Sequence, residues 1–113
     1  MLPKAQRLKS RQFAWVFRRG ESLSTPHLFL KYAPSKYGTR LSCTVGKKHF
    51  RKAHERNAVR RQLYGALTPA LMATLPPVSG VITWRGTAAP EPTLLREELR
   101  LLLAPLTEAM RSG

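Results

Sequence analysis

The sequence predicts a single α+β domain in which helices pack against one mixed β-sheet. Three observations predict this class: a length of 113 residues, an apolar content of 42%, and apolar spacings that alternate between helical and extended. The length allows one core but not two. The segments follow in the order helix, strands, helix, strand, helix, which is typical of an α+β protein. We expect one domain over residues 1–113, with residues 1–8 and 105–113 poorly ordered.

The first helix is predicted over residues 11–19. Ser10 can cap its start by accepting hydrogen bonds from the first free amides, and Gly20 follows at the position where helices often end with a positive φ. Phe13 and Phe17, four residues apart, share one face of this helix.

Two strands are predicted next, over residues 27–33 and 40–46, because both segments carry branched or aromatic residues in partly alternating order. Pro34 and Gly38 mark a turn between them, so we expect the two strands to pair as a hairpin. A further short strand within residues 20–27 is only weakly signalled.

A long amphipathic helix is predicted from residue 51 or 52 to residue 72. Val59 and Leu63 lie on its apolar stripe, and Arg60 lies in the neighbouring arc at 100° per residue. A glycine and a proline in its last third allow an end near Leu67 instead.

After a proline-rich linker, residues 81–85 form a short apolar run that predicts a buried strand. The last helix is predicted over residues 93–103, with Thr93 as its cap. Its core face consists of Leu95, Leu99, Leu102 and Leu103.

The formal charge of +14 is concentrated in the first half of the chain. Residues 1–61 contain sixteen of the twenty Lys and Arg against two Glu, whereas residues 62–113 balance four Arg with four Glu. Repulsion among these positive charges favours a polyanionic partner. Nucleic acid is the first candidate and an acidic membrane surface the second. Three prolines interrupt the most apolar stretch, and the N-terminal residues do not form a signal peptide. We therefore expect a cytoplasmic protein that does not contact a membrane.

The residues offer no catalytic machinery on the polypeptide itself. The six acidic residues are all Glu and are dispersed, which disfavours a carboxylate site for Mg²⁺. His49, His54 and Glu55 match no zinc spacing. Cys43 is the single cysteine, so no intrachain disulfide can form, and we interpret it as a small core residue.

Two patterns suit RNA, and each has a structural alternative. Arginines on the long helix can bind phosphates through paired hydrogen bonds, or they can form a solvated helix face. Phe13, Phe17 and Tyr32 can stack unpaired bases, or they can be core residues. A general RNA-binding module, such as a ribosomal protein or an RNA chaperone, also fits both patterns.

Residues 44–63, TVGKKHFRKAHERNAVRRQL, resemble the signature of the bacterial ribonuclease P protein subunit. In that family a strand ends in a Lys-Lys pair and leads into a helix with an Arg-Asn-Arg motif followed by a basic pair. The segments RLKSRQFAWVFRRG, LFLKYA and GVITWRG resemble the family's opening, first strand and last strand. The likeness extends over residues 7–104.

The resemblance implies a ribonucleoprotein endonuclease that removes the 5′ leader from precursor tRNA. The RNA subunit would cleave, with Mg²⁺ held mainly by RNA, and the protein would bind the RNA subunit and the leader. No catalytic residue and no required protein partner are implied for the polypeptide. The resemblance also implies a left-handed β-α-β crossover, against the general right-handed rule.

Matched position by position, the resemblance implies two sets of binding residues. The RNA subunit would be bound by Lys47, Lys48, Arg51, Lys52, Arg56, Asn57, Arg60 and Arg61. The single-stranded leader would be bound by Phe13, Phe17 and Tyr32. Ala58 and Tyr64 stand where the family usually has arginine, which leaves two expected phosphate contacts unaccounted for.

Overall fold

The computed structural model describes residues 20–35 and 38–112. The helix predicted over residues 11–19, with Phe13 and Phe17, lies outside the described residues, and so do residues 1–8. The described chain contains four strands and three helices. The strands are β1 (Glu21–Ser24), β2 (Leu28–Pro34), β3 (Arg40–Val45) and β4 (Val78–Trp84), and the helices are α1 (Ala53–Ala66), α2 (Pro69–Ala73) and α3 (Pro92–Ser112).

The four strands form one mixed sheet in the order β1-β2-β4-β3. β2 is antiparallel to both β1 and β4, whereas β3 is parallel to β4. The predicted α+β class with one mixed sheet is confirmed. The short strand that was weakly signalled within residues 20–27 is β1. The predicted hairpin of β2 with β3 is wrong, because β4 lies between them. β4 is an inner strand of the sheet, and six of its seven residues are buried. Such a nearly continuous buried run is typical of a strand that is covered on both faces.

The long predicted helix is divided in two. The backbone N–H of Leu67 bonds to the carbonyls of Leu63 and Tyr64 and so ends α1, which agrees with the earlier of the two predicted ends. The Thr68 hydroxyl then accepts the N–H of Leu71, 3.2 Å away, and caps α2. The alternative of one helix continuing to residue 72 is therefore wrong.

The last helix begins earlier and extends further than predicted. Glu91, and not Thr93, caps α3: its carboxylate accepts the N–H of Leu94 at 2.9 Å and of Thr93 at 3.2 Å. These two hydrogen bonds lower the pKa of Glu91. The helix continues to Ser112 and buries Leu106, so the predicted end at residue 103 is too early. Poor order at residues 105–113 stays a prediction.

The core lies between the helices and one face of the sheet, here called the first face. Val59 and Leu63 of α1 are 1% and 0% exposed, as predicted. The four leucines predicted for the last helix are all buried in the same cluster. Cys43 belongs to it as well, and its burial raises the pKa of the thiol, which confirms its interpretation as a core residue.

The other face of the sheet, the second face, is more polar. Residues alternate between the faces along each strand, so the neighbours of core residues point to the second face. This face includes Phe29 and Lys31 of β2, Ser42 and Thr44 of β3, and Val81 and Thr83 of β4, as the register of the strands requires.

Candidate nucleic-acid interface

The most basic feature of the described chain is the turn between β3 and α1, here called the basic turn (residues 47–52). β3 ends at Val45 and α1 begins at Ala53, so the turn connects the sheet to the first described helix. Four predicted RNA-binding cations lie in it, and all four are exposed: Lys47, Lys48, Arg51 and Lys52. Phe50 is the exception, since it is only 7% exposed and anchors the turn in the core.

Arg56 holds this turn in place. Its guanidinium Nη1 donates to the carbonyl oxygen of Phe50 at 2.8 Å and to that of Arg51 at 2.9 Å. Because the guanidinium is planar and rigid, one side chain fixes two successive carbonyls of the turn. Arg56 is half-buried. It therefore positions the neighbouring cations and also contributes a positive charge of its own.

The remaining predicted residues lie on α1 beside its buried stripe. Asn57 and Arg61 are exposed and Arg60 is half-buried. Arg60 Nη2 donates to the Asn57 side-chain oxygen, which orients the guanidinium. The structure therefore brings together all eight residues predicted for the RNA subunit, on the basic turn and the start of α1.

Tyr64 has a structural role that the sequence did not reveal. Its hydroxyl accepts the backbone N–H of Cys43 at 3.1 Å and lies 3.5 Å from the Ser42 hydroxyl. Among the described strands β3 is at the edge of the sheet, so an N–H on its outer side has no described strand to bond to. Tyr64 supplies that missing acceptor and is thus directed towards the sheet. Ala58 is exposed, and nothing in the structure explains the absence of an arginine there.

Replacing Tyr64 with phenylalanine is expected to lower the free energy of unfolding by about 1 kcal/mol, since a part-buried N–H loses its acceptor. Urea denaturation of the free protein measures this. Affinity for RNA should be unchanged. Tyr32→Phe is the matched control, because it removes only an exposed hydroxyl bond and should cost less. Equal losses for the two variants would contradict the role given to Tyr64.

Tyr32, the described member of the predicted leader-binding set, lies on the first face. It packs against the edge of the core, and its hydroxyl donates to the Glu21 carboxylate at 3.1 Å. Burial, followed by the Glu21 carboxylate, raises its pKa. The Tyr32 ring is therefore partly exposed to solvent and partly packed against the core.

Phe29, Lys31 and Arg85 form a cationic and aromatic group that the sequence did not predict. The Arg85 guanidinium lies over the Phe29 ring, 4.2 Å from its centroid, and Lys31 projects from the same face as Phe29. An aromatic ring beside cations is a surface on which unpaired bases can stack. The signal was present in the sequence, because Phe29 and Lys31 alternate with the core residues Leu28 and Leu30.

Metal-binding groups and membrane-spanning helices are not found in the part of the chain that the structure describes. Its residues contain no group of three or more His, Cys, Asp or Glu that could hold a metal ion. Among its helices, none combines the length and apolar character needed to cross a membrane.

The fold and the site together define a small, basic α+β protein whose exposed cations suit a polyanion. Comparison with known proteins specifies it further. A family model described as Ribonuclease P matches residues 2–107. The ribonuclease P protein component of Chlamydia trachomatis serovar A is 37% identical over 101 residues, covering 87% of this chain and 82% of that protein. The corresponding protein of Rippkaea orientalis is 34% identical over 99 residues, covering 78% and 75%.

Solved structures share the fold. The RNase P protein from Thermotoga maritima has a TM-score of 0.76 at 23% identity and covers 88% of this chain and 96% of its own. The protein from Staphylococcus aureus has a TM-score of 0.77 at 20% identity, with 90% and 95% covered.

The chain belongs to the bacterial ribonuclease P protein family. It is thus the protein component of an endoribonuclease, and it assists the RNA of that enzyme in processing the 5′ end of precursor tRNA.

Proposed function

We propose that the basic turn and the adjoining side of α1 bind the RNA subunit. The residues are Lys47, Lys48, Arg51, Lys52, Arg56, Asn57, Arg60 and Arg61. One observation carries the proposal: four exposed cations lie on a turn whose carbonyls are held by Arg56, next to an arginine oriented by Asn57. Cations fixed before binding lose less conformational entropy when they meet phosphates.

The mechanism of assistance is electrostatic. RNA subunit and precursor tRNA are both polyanions, and cations placed between them reduce the repulsion of their phosphates while condensed counterions are released. The protein needs no reactive group for this role, and none of its residues is assigned to the cleavage step.

Mg²⁺ is required by the holoenzyme in this proposal and is held mainly by the RNA, where it supplies electrostatic stabilisation of the charge that develops during cleavage. The described side chains do not fit a protein-held Mg²⁺, since they bring no three acidic groups together. We place the enzyme in the cytoplasm, with the RNA subunit and precursor tRNA as partners and no protein partner required. We also infer a left-handed connection from β3 through α1 and α2 to β4.

The single-stranded leader is proposed to contact Phe13, Phe17 and Tyr32. The half-exposed ring of Tyr32 at the edge of the core supports this role. Phe29, with Arg85 over its ring, offers a second stacking surface on the opposite face of the sheet. Alanine substitutions at Tyr32 and Phe29 distinguish the two faces of the sheet.

Reconstitution with a bacterial ribonuclease P RNA at low Mg²⁺ tests the proposed function. The protein should stimulate cleavage of precursor tRNA well above the rate of the RNA alone. Binding to the RNA without stimulation would instead indicate a general RNA-binding module, and absence of binding would exclude both.

Replacing Arg60 with alanine is expected to weaken binding of the RNA subunit by about tenfold and to reduce the steepness of the salt dependence by about one or less. One phosphate contact is lost while the fold is retained. Filter binding over a range of salt concentrations measures both quantities. Unchanged affinity together with an unchanged slope would show that Arg60 does not contact RNA.

Replacing Phe17 with alanine is expected to weaken binding of precursor tRNA by about tenfold, since one stacked base is worth roughly 1–3 kcal/mol. Mature tRNA, which lacks a leader, should bind the holoenzyme as before. Phe29→Ala is the comparison: a larger leader-specific loss there would place the leader on the second face. Equal losses for precursor and mature tRNA would mean that the ring at position 17 does not read the leader.

A further inference from the structure

The proposed function does not use a groove that lies on the β2 side of β4. The basic turn lies on the β3 side. The groove lies between α3 and the loop that follows β4, and its volume is about 480 Å³. We call it the α3 groove and define it by Pro26, His27, Trp84, Leu94, Glu97 and Leu101. His27 directly precedes β2, whereas the basic turn follows β3, and β4 separates these two strands.

The floor of the α3 groove is built from side chains that hold one another. Trp84 Nε1 donates to the carbonyl of Ala88 at 3.0 Å, and the His27 ring stacks on the indole with centroids 5.5 Å apart. His27 Nδ1 lies 2.9 Å from the Glu98 carboxylate. A groove with such fixed walls does not have to be ordered when a ligand binds.

Glu98 connects the floor of the groove to α3. It accepts the Thr25 hydroxyl at 2.6 Å and the backbone N–H of His27 at 2.9 Å, and its side chain is 16% exposed. Burial by itself would raise the pKa of Glu98, but the hydrogen bonds from Thr25 and His27 outweigh burial and lower it. Glu98 is therefore ionised at neutral pH and already engaged within the protein.

The rim of the groove is apolar and exposed. Leu94 is 62% exposed and Leu101 is 70% exposed, and within the described residues these are the large hydrophobic side chains that remain open to solvent. They are seven residues apart on α3, so they lie two turns apart on one face. Two leucines next to a preformed groove form a docking surface for apolar side chains.

The charge around this surface selects among possible occupants. Glu97 is exposed and lies between the two leucines along α3, and the exposed Glu91 lies at the start of the same helix. These carboxylates repel the phosphates of RNA and of anionic lipids. A symmetric pairing of two copies through this face would bring the acidic groups of both copies to one interface, which is also unfavourable.

We propose that the α3 groove docks a basic, amphipathic segment of a second protein, with aliphatic side chains against Leu94 and Leu101 and Lys or Arg beside Glu97. Such a segment complements the face in both polarity and charge. The groove lies on the β2 side of β4 and the basic turn on the β3 side, so the protein segment and RNA would contact different surfaces. The docked protein is an accessory of the enzyme and is not needed for cleavage.

The test uses a synthetic helical peptide with a leucine face flanked by lysines, added to the full-length protein. Trp84 reports binding by fluorescence once Trp15, the other tryptophan of the chain, has been replaced with phenylalanine. The double variant Leu94→Ser with Leu101→Ser should bind the peptide at least about tenfold more weakly, because two apolar contacts are lost. Glu97→Lys should weaken it by about fivefold. Ala73→Ser, an exposed change on α2, should have no effect.

Two controls complete the experiment. Circular dichroism should show that all variants are folded, since the replaced side chains are exposed. Cleavage of precursor tRNA by the reconstituted enzyme should be unchanged by Leu94→Ser and Leu101→Ser.

Several outcomes would overturn the proposal. One is equal affinity of the lysine peptide for the parent protein and the double variant. Another concerns a peptide that carries glutamate in place of lysine. The proposal fails if this peptide binds the parent protein but not the double variant at Leu94 and Leu101. A dimer detected by sedimentation, or binding to anionic vesicles, that disappears in the double variant would assign the face to a second copy or to a membrane instead.

Discussion

Replacing Arg56 with lysine is expected to weaken binding of the RNA subunit by about tenfold, although the positive charge is kept. The guanidinium holds the carbonyls of Phe50 and Arg51, at 2.8 and 2.9 Å, and thereby fixes the basic turn. Both hydrogen bonds come from Nη1, whose two N–H groups have fixed directions in the guanidinium plane. A lysine ammonium is a freely rotating group on a more flexible stem, so it holds the two carbonyls less rigidly. The exposed cations of the turn would then lose more conformational entropy on meeting phosphates.

Salt titration separates this supporting role of Arg56 from a direct phosphate contact. Arg56→Lys should lower affinity with little change in the salt slope, whereas Arg56→Ala should lower both, the slope by about one. Arg61→Lys is the matched control on the exposed side of α1 and should change affinity by no more than about twofold. Full affinity in Arg56→Lys combined with a large loss in Arg56→Ala would show that charge alone matters at this position.

Replacing Gly86 with alanine is expected to lower the free energy of unfolding by about 2–3 kcal/mol, as overpacking of a closed site does. A Cβ at this position would lie 2.7 Å from Cε2 of Trp84 and closer still to Cζ2, which is nearer than such atoms can approach. The indole cannot move aside cheaply, because it donates to Ala88 and is stacked by His27. The midpoint of urea denaturation and the fluorescence of Trp84 measure the effect.

Gly65→Ala provides the matched control for Gly86→Ala. Gly65 lies within α1 and is exposed, and a Cβ added to it would meet nothing within 4 Å. Alanine there should stabilise the protein by about 0.5–1 kcal/mol, because glycine loses more backbone entropy in a helix. Two variants that add the same methyl group are therefore expected to shift stability in opposite directions. A stabilised Gly86→Ala would mean that the Trp84 indole is free to move.

The predicted burial pattern of the basic helix was accurate, because it depends on local interactions. The pattern of Val59 and Leu63 beside Arg60 depends only on the 3.6-residue period of a helix, and the structure buries the first two and leaves the third at the boundary. The charge of the basic turn is likewise a property of consecutive residues. Resemblance to a known family then specified RNA as the polyanion, which charge alone could not do.

Predictions that depended on distant residues were less successful. Pro34 at the end of β2 and Gly38 after it favour a hairpin of β2 with β3, yet β4 pairs with both strands. Strand order depends on which strand is most completely buried, and that is known only when all elements are placed. Residue type favours Thr93 as a helix cap, but the carboxylate of Glu91 reaches the free amides instead.

By itself, the sequence determined the α+β class, the positions of most helices and strands, and a cationic segment suited to RNA, because these depend on residues close together in the chain. The tertiary structure alone decided that Arg56 supports the basic turn, that Tyr64 satisfies the edge of β3, and that Leu94 and Leu101 border an open groove. Each of these depends on where a side chain lies relative to a backbone or surface formed by other segments, and local periodicity carries no information about that.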